Sequence, residues 1–498
     1  MTTYEVPTYS GGTLITNVQD LVLTNGDTLT VGVRVTLSSA VSGTAESTTV
    51  NSGGLLDIEG GIATDITVDG GLVQDLGTAL GTIVINSGEF DLGTSATVSG
   101  VVVNAGGLEF VFTSGFDNAA TISGDQELYG LGSGATIFSG GTQNVYGVAV
   151  DTTISGGQQV VFAGGQASGT IVQSGGTEVL VGGASVDTVV RDSGTEVVSI
   201  GFAVSTTLSS GGTLQVGFEG TASGTTVLDG GIEEVGNFFG VGEGFASGTT
   251  VSTGGIQIVS SGGFANGTTV SANGLQSISS GGAANPTLVD SGGTQTVFSG
   301  GSVNFTTLRS GDLNLSGGYA FFTVNSGGNE FVWSGGLDDT SNISSGGLEI
   351  VYSGGIANST RIGSGGDQIV SSGGTANFTS IGSNGSQIVL GAVNNSSVGS
   401  GGSQLVSSGG VAAGTAVSGG GVEVSAGGTA DFTTVSSGGS VIVSSGGLAS
   451  ATTLSNGGVQ RVLGSSTDTT ISSGGRELVS SGGSANSATV QSGGSQTV

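Results

Sequence analysis

The chain has 498 residues, 104 of them glycine, and sets 36 acidic residues against 6 basic ones, for a net charge of −30. That balance excludes nucleic acid and anionic membrane surfaces as partners, because both need clustered cations. Cysteine and histidine are absent, which excludes disulfides, thiolate metal sites and every catalytic arrangement built on an imidazole.

The N-terminus, MTTYEVPTYSGGTLI, shows no basic segment followed by an apolar one, so no secretory signal is legible there. No stretch approaches the ~20 apolar residues of a membrane-spanning helix, and membrane insertion is not expected. Residues 1–45 fit the later pattern poorly yet hold Val- and Thr-rich runs such as TLTVGVRVTL. A stack of β-strands must protect its first open edge, so this segment reads as an irregular β cap.

From residue 52 to residue 492 an SGG-like turn recurs 25 times, most often at intervals of 19 residues. One unit reads roughly V-x-S-G-G-x-Q-x-V-x-S-G-G-x-A-x-x-T-T, with two turns and two β-prone segments, T-T-V and Q-x-V. Glycine tolerates the left-handed backbone of a tight turn, and asparagine is the next best residue there. Asn273 and Asn384 replace the first glycine of the pair, and Asp69, Asp229 and Asn456 replace the serine. Such substitutions keep the turn chemistry.

Val259, Val297, Val332, Val351, Val370, Val389 and Val406 hold one place in the Q-x-V segment. Stacked in register, they form an aliphatic column inside a coil while their variable neighbours face outward. The Gln or Glu two residues earlier should share that inner face. Either a bulge turns it out, or Gln side chains stack as ladders inside. A period near 20 with this composition predicts an all-β fold, a single-stranded-coil parallel β-solenoid (β-helix) with about 25 rungs of ~19 residues. Residues 46–160 are its degenerate rungs and 161–498 its regular rungs, in one continuous domain. The longest interval holds GNFFGVGEGF (236–245), read as a bulging loop. Phe238, Phe239 and Phe245 make it a candidate contact patch.

For chemistry the residues offer little, and no cofactor or metal site is expected. Paired acids could cleave a glycoside, the candidates being Asp57 with Glu59, Asp65 with Asp69, Glu233 with Glu234, and Asp338 with Asp339. The plainer reading is solvated acids on rung surfaces. Thr-Thr pairs such as Thr268 and Thr269 read as solvated ladders.

The unit TTVxSGGxQxVxSGGxA, as in TTVSTGGIQIVSSGGFA (249–265) and TSIGSNGSQIVLGA (379–392), resembles the passenger repeats of AIDA-type autotransporter adhesins, the strand-loop-strand repeat. The resemblance implies a bacterial cell-surface or secreted adhesin or self-association stalk without enzymatic activity. Its partners would be surface receptors or glycans, or further copies of the chain. It also implies a glycosyltransferase acting during maturation, with Ser364, Ser372, Ser383, Ser400 and Ser473 as candidate O-glycosylation positions. A structural filament or matrix module, and a carbohydrate-active β-helix, are the alternatives.

Overall fold

A computed structural model describes residues 48–58, 62–75, 78–237 and 242–498, together with five short strands before residue 48. The architecture is an all-β parallel solenoid of about 24 turns. It falls into two compact units, Met1–Ser247 and Gly248–Val498, taken here in turn.

In the first unit a regular turn of the coil consists of strands Gln158–Phe162, Gln166–Ser168 and Ile171–Gln173. They pair in parallel, residue for residue, with Thr177–Val181, Ala184–Val186 and Val189–Val190 of the next turn. Earlier turns are less regular. Ile62–Asp75 and Thr78–Leu92 run as continuous strands through the corners, absorbing them as register shifts near Thr64, Val68 and Asp69. Within the expected cap, Thr3–Glu5 pairs with the 28–30 segment, and Arg34–Leu37 pairs with Leu55–Ile58, both in parallel. Val18–Gln19 likewise pairs with Val35 and Thr36, and Thr44–Glu46 with the 62–64 segment; apart from the five strands, residues 1–45 lie outside the described residues.

The second unit repeats the same three-stranded turn more strictly. Arg361–Ile362, Asp367–Val370 and Thr375–Asn377 align with 380–381, 386–389 and 392–394. The sequence pattern contains two of these strands and hides the third. Its inward residue is a small one, Ala357, Ala376, Val393 or Ala412 in successive turns, all buried, and three residues with one alanine carry little β-propensity. The Val column lies inside as expected, Val370, Val389 and Val406 being fully buried.

Three corners close each turn. At the first, Gly366 N–H donates to the Gly363 carbonyl at 3.0 Å, and the intervening Gly365 has φ +74°, the left-handed region open to glycine. Asn384 takes the equivalent place with φ 61°. The second glycine serves a different need. A Cβ on Gly366 would lie 2.5 Å from the Ile343 carbonyl oxygen of the previous turn, so no side chain fits. The third corner carries no Gly-Gly signature; a single left-handed residue turns the chain, as at Ser359, Phe378 and Asn395.

These two glycines predict opposite tolerances. Gly366→Ala should lower stability by about 1–3 kcal/mol through overpacking against backbone, while Gly365→Asn should be nearly neutral. Denaturant unfolding of both variants checks this.

Candidate functional site

The interior decides which residues are left to meet a partner. In the strand Asp367–Val370 both Gln368 and Val370 are buried, with Ile369 between them half-buried. No bulge intervenes, so the recurrent Gln points inward and the ladder alternative is the correct one. Gln276 Nε2 donates to Gln257 Oε1 at 2.7 Å, and Gln295 Nε2 to Gln276 Oε1 at 2.6 Å. In the same unit Gln387 donates to Gln368 at 2.6 Å and Gln404 to Gln387 at 2.7 Å. The first unit holds a like run, Gln143 donating to Gln126 at 2.6 Å.

The first Thr of each Thr-Thr pair is buried rather than solvated, and at Thr268 it joins this network, whereas the Thr249, Thr433 and Thr452 hydroxyls have no hydrogen-bond partner. Thr268, Thr287 and Thr306 are buried, and their hydroxyls donate to Gln257, Gln276 and Gln295 at 3.1, 3.2 and 2.9 Å. Only the second member of each pair, such as Thr269, faces outward. Leu214, Leu313, Val422 and Val441 take the Gln position in other turns and interrupt the polar run.

Several turns place a Glu where others place Gln, and two place an Asp, Asp117 or Asp338, in the small-residue column of the third strand. Glu330, Asp338 and Glu349 are fully buried together. Ser341 Oγ donates to Asp338 Oδ1 at 2.7 Å, and Gln368 Nε2 to a Glu349 oxygen at 2.8 Å. Burial, reinforced by the neighbouring Asp338, pushes the Glu330 carboxyl well above the usual carboxylate range. Burial likewise raises Asp338 to about 7 and Glu349 to about 8. In the first unit Glu109 and Asp117 both accept from Gln126 Nε2, at 2.9 and 2.8 Å. Burial raises both, Asp117 to about 7. Glu178 and Glu196 form another raised pair, desolvated and facing each other. A protonated carboxyl has nearly the shape and hydrogen-bonding capacity of the Gln it replaces, which is why the two interchange.

The candidate acid pairs are thereby separated. Glu233 and Asp338 are buried inside, whereas their neighbours Glu234 and Asp339 point outward. Adjacent strand residues face opposite sides of a sheet, so neither pair can flank a glycosidic bond, and the expectation of solvated acids fails for the inward members. Asp65 is tied to the Thr82 N–H at 3.0 Å, and Asp69 accepts from the Ser87 hydroxyl at 3.4 Å. Glu59 and the side chain of Asp57 lie outside the described residues.

Of the contact-loop residues, Phe238 and Phe239 lie outside the described residues. Phe245 sits in the strand Gly244–Ser247, half-buried and in register with Thr221, rather than in a loop. The turn serines behave differently. Ser364, Ser383, Ser400 and Ser473 occupy exposed positions at the first corner, and Ser372 an exposed position at the second. Ser383 N–H donates to the Ser400 carbonyl at 3.1 Å, and Ser345 N–H to that of Ser364 at 2.8 Å, so these turns stack one per rung. Sequence reasoning missed the aromatic stacks. Tyr129, Tyr146 and Phe162 lie face to face at 4.6 and 4.7 Å, and Trp333 lies on Tyr352 at 4.0 Å. Seeing them requires the register between rungs, which varying repeat lengths conceal.

Comparison with known proteins gives two findings. Residues 231–293 match the family described as "Adhesin of bacterial autotransporter system, probable stalk". A solved structure, the TibC-catalysed hyper-glycosylated TibA55–350 fragment, is 33% identical over 64% of this chain and 100% of its own, with a TM-score of 0.42. No curated protein matches.

The interior network makes two predictions. For a carboxyl whose pKa is raised on folding, the stabilisation is complete below its unfolded pKa and is lost as pH rises through the folded value. Stability should therefore fall as pH climbs from the ordinary carboxylate range to 7 and 8, the values for Asp338 and Glu349, and level off above them. Asp338→Asn with Glu349→Gln should flatten that fall, as measured by thermal unfolding across pH. Gln387→Leu should strand the Gln404 donor, costing roughly 1–3 kcal/mol, while the Gln368 oxygen keeps the Thr379 hydroxyl at 3.3 Å. Chemical denaturation compared with Gln387→Glu at acid pH checks this.

Proposed function

The chain belongs to the AIDA-type adhesins of the bacterial autotransporter system, and we propose on that premise that it acts as a non-enzymatic surface stalk. Adhesion, in this reading, comes from many weak contacts repeated along the outer faces. The inner face of every turn is committed to the Val and Ala columns and to the Gln–Thr network. What remains for a partner is the exterior, which offers the same turn at each rung.

The observation that carries the reading is the placement of Ser364, Ser372, Ser383, Ser400 and Ser473 at exposed turn positions. Those at the first corner recur at the rung spacing of ~4.8 Å. A glycosyltransferase that recognises one such turn meets an equivalent one on the neighbouring rung. Sugars added there would cover the corners without touching the core, and their number would set avidity for receptors or for other copies of the chain. The TibA fragment, 33% identical to this chain, is hyper-glycosylated, in keeping with this reading. The acidic exterior, with net charge −30, keeps undecorated faces apart. The location that follows is the cell surface or the medium around it.

Intact mass of the chain taken from its native host is the first test. Excess mass in sugar-sized steps, mapped to these serines and reduced in a variant with all five changed to alanine, is the expected result. A bare polypeptide mass would sink the decoration. Cells displaying the chain should also clump or attach more than cells without it, and equal attachment would sink the adhesin role itself.

A further inference from the structure

On the outer side of the second unit the aromatic stacking is interrupted. The third strands of four successive turns place Phe264, Ala283, Ser302 and Tyr319 in one outward column, in register. Two small residues therefore stand between two aromatic ones. Three rung steps separate Phe264 from Tyr319, roughly 14 Å. The gap is a groove of about 290 Å³ lined by Phe264, Asn285, Ser302, Asn304, Tyr319 and Phe321, among others. Tyr319 and Phe321 lie side by side on one strand, centroids 6.3 Å apart and planes within 17°, forming a wall two rings wide. Phe322 braces Phe321 from behind at 4.1 Å and itself stacks on Phe305.

Among the small and aromatic residues stand a few polar groups: Ser302 brings a hydroxyl, and Asn285 and Asn304 bring amides. Aromatic walls with a few convergent amides and hydroxyls recognise ligands that are apolar on their faces and hydroxylated at their edges. No cation lines the groove, and Asp338 and Asp339 lie close enough to the Tyr319 hydroxyl to raise its pKa after burial does. An acidic ligand would therefore be repelled. We propose that this groove is a binding site for a neutral saccharide of one or two sugar rings, the C–H face of a ring lying on the Tyr319–Phe321 wall and its hydroxyls turned to the Ser302 and Asn285 side chains.

The proposal gives the adhesin reading a partner chemistry and rests on it, but its test is separate from attachment by cells. Saturation-transfer NMR of the whole soluble chain with lactose, maltose and cellobiose should show transfer to the ring protons of at least one. Ser302→Phe fills the gap in a column that already accepts aromatic residues, as at Phe202 and Tyr319, and should weaken binding about tenfold or more. Tyr319→Ala should do the same while Tyr319→Phe retains binding. Transfer from none of the three sugars, or equal transfer in Ser302→Phe, would overturn the site. Unchanged circular dichroism and melting show that a variant is folded. Attachment by displaying cells with no sugar transfer would remove the groove and leave the adhesin reading in place.

Discussion

An amide buried inside this narrow coil finds its amide partners on the rung above and the rung below. Each Gln in the interior runs donates to the rung before it and accepts from the rung after it, and at Gln257, Gln276 and Gln295 a Thr 11 residues further on donates to the same oxygen. Register between rungs is therefore enforced twice, by the backbone ladders and by the side chains they enclose. A slip of one residue would exchange the inner and outer sets of the strand and would bury Ile369 or its equivalents while exposing the amides. Aliphatic columns alone resist such a slip less, because Val and Ile substitute for each other freely.

The same constraint explains residues that look anomalous singly. Buried carboxyls in a chain with almost no cations would ordinarily be prohibitive. Here the glutamates enter positions already equipped with donors for an amide, and protonation makes Glu349 an amide's equivalent. Glycine is spent in two ways for a related reason. One glycine permits the left-handed turn, and the next lets the following rung lie directly on a carbonyl of the rung before. Compactness at the corner keeps the strands aligned closely enough for the interior bonds to form.

Much of this was legible in the residues. The period, the turn chemistry at Asn384 and Asn273, and the inward Val column all follow from spacing and backbone preference. The third strand was not, because Ala376 and its counterparts look like loop residues until the corner at Phe378 is seen to turn left-handed. The direction of Gln368 could not be read because polarity argued for outside and alternation for inside; only the partner on the next rung settles it. The Thr pairs were misjudged for the same reason, since Thr268 finds its acceptor 11 residues away in sequence. The aromatic groove was invisible because Phe264 and Tyr319 come to face each other across Ala283 and Ser302 only when rungs of unequal length are laid in register.

Leu313, Val422 and Val441 stand in the amide column and divide it into short runs. From outside, the rungs of the second unit look interchangeable, and a repetitive gene gains and loses copies readily by unequal recombination. Inside they are not equivalent. Removing the rung of Gln387 would bring Gln368 against Gln404 and leave an unbroken donor–acceptor run, whereas inserting a Leu313-type rung between them would sever it. The interior thus acts as a grammar on copy number: runs of like rungs can lengthen or shorten without penalty, while their boundaries resist shuffling.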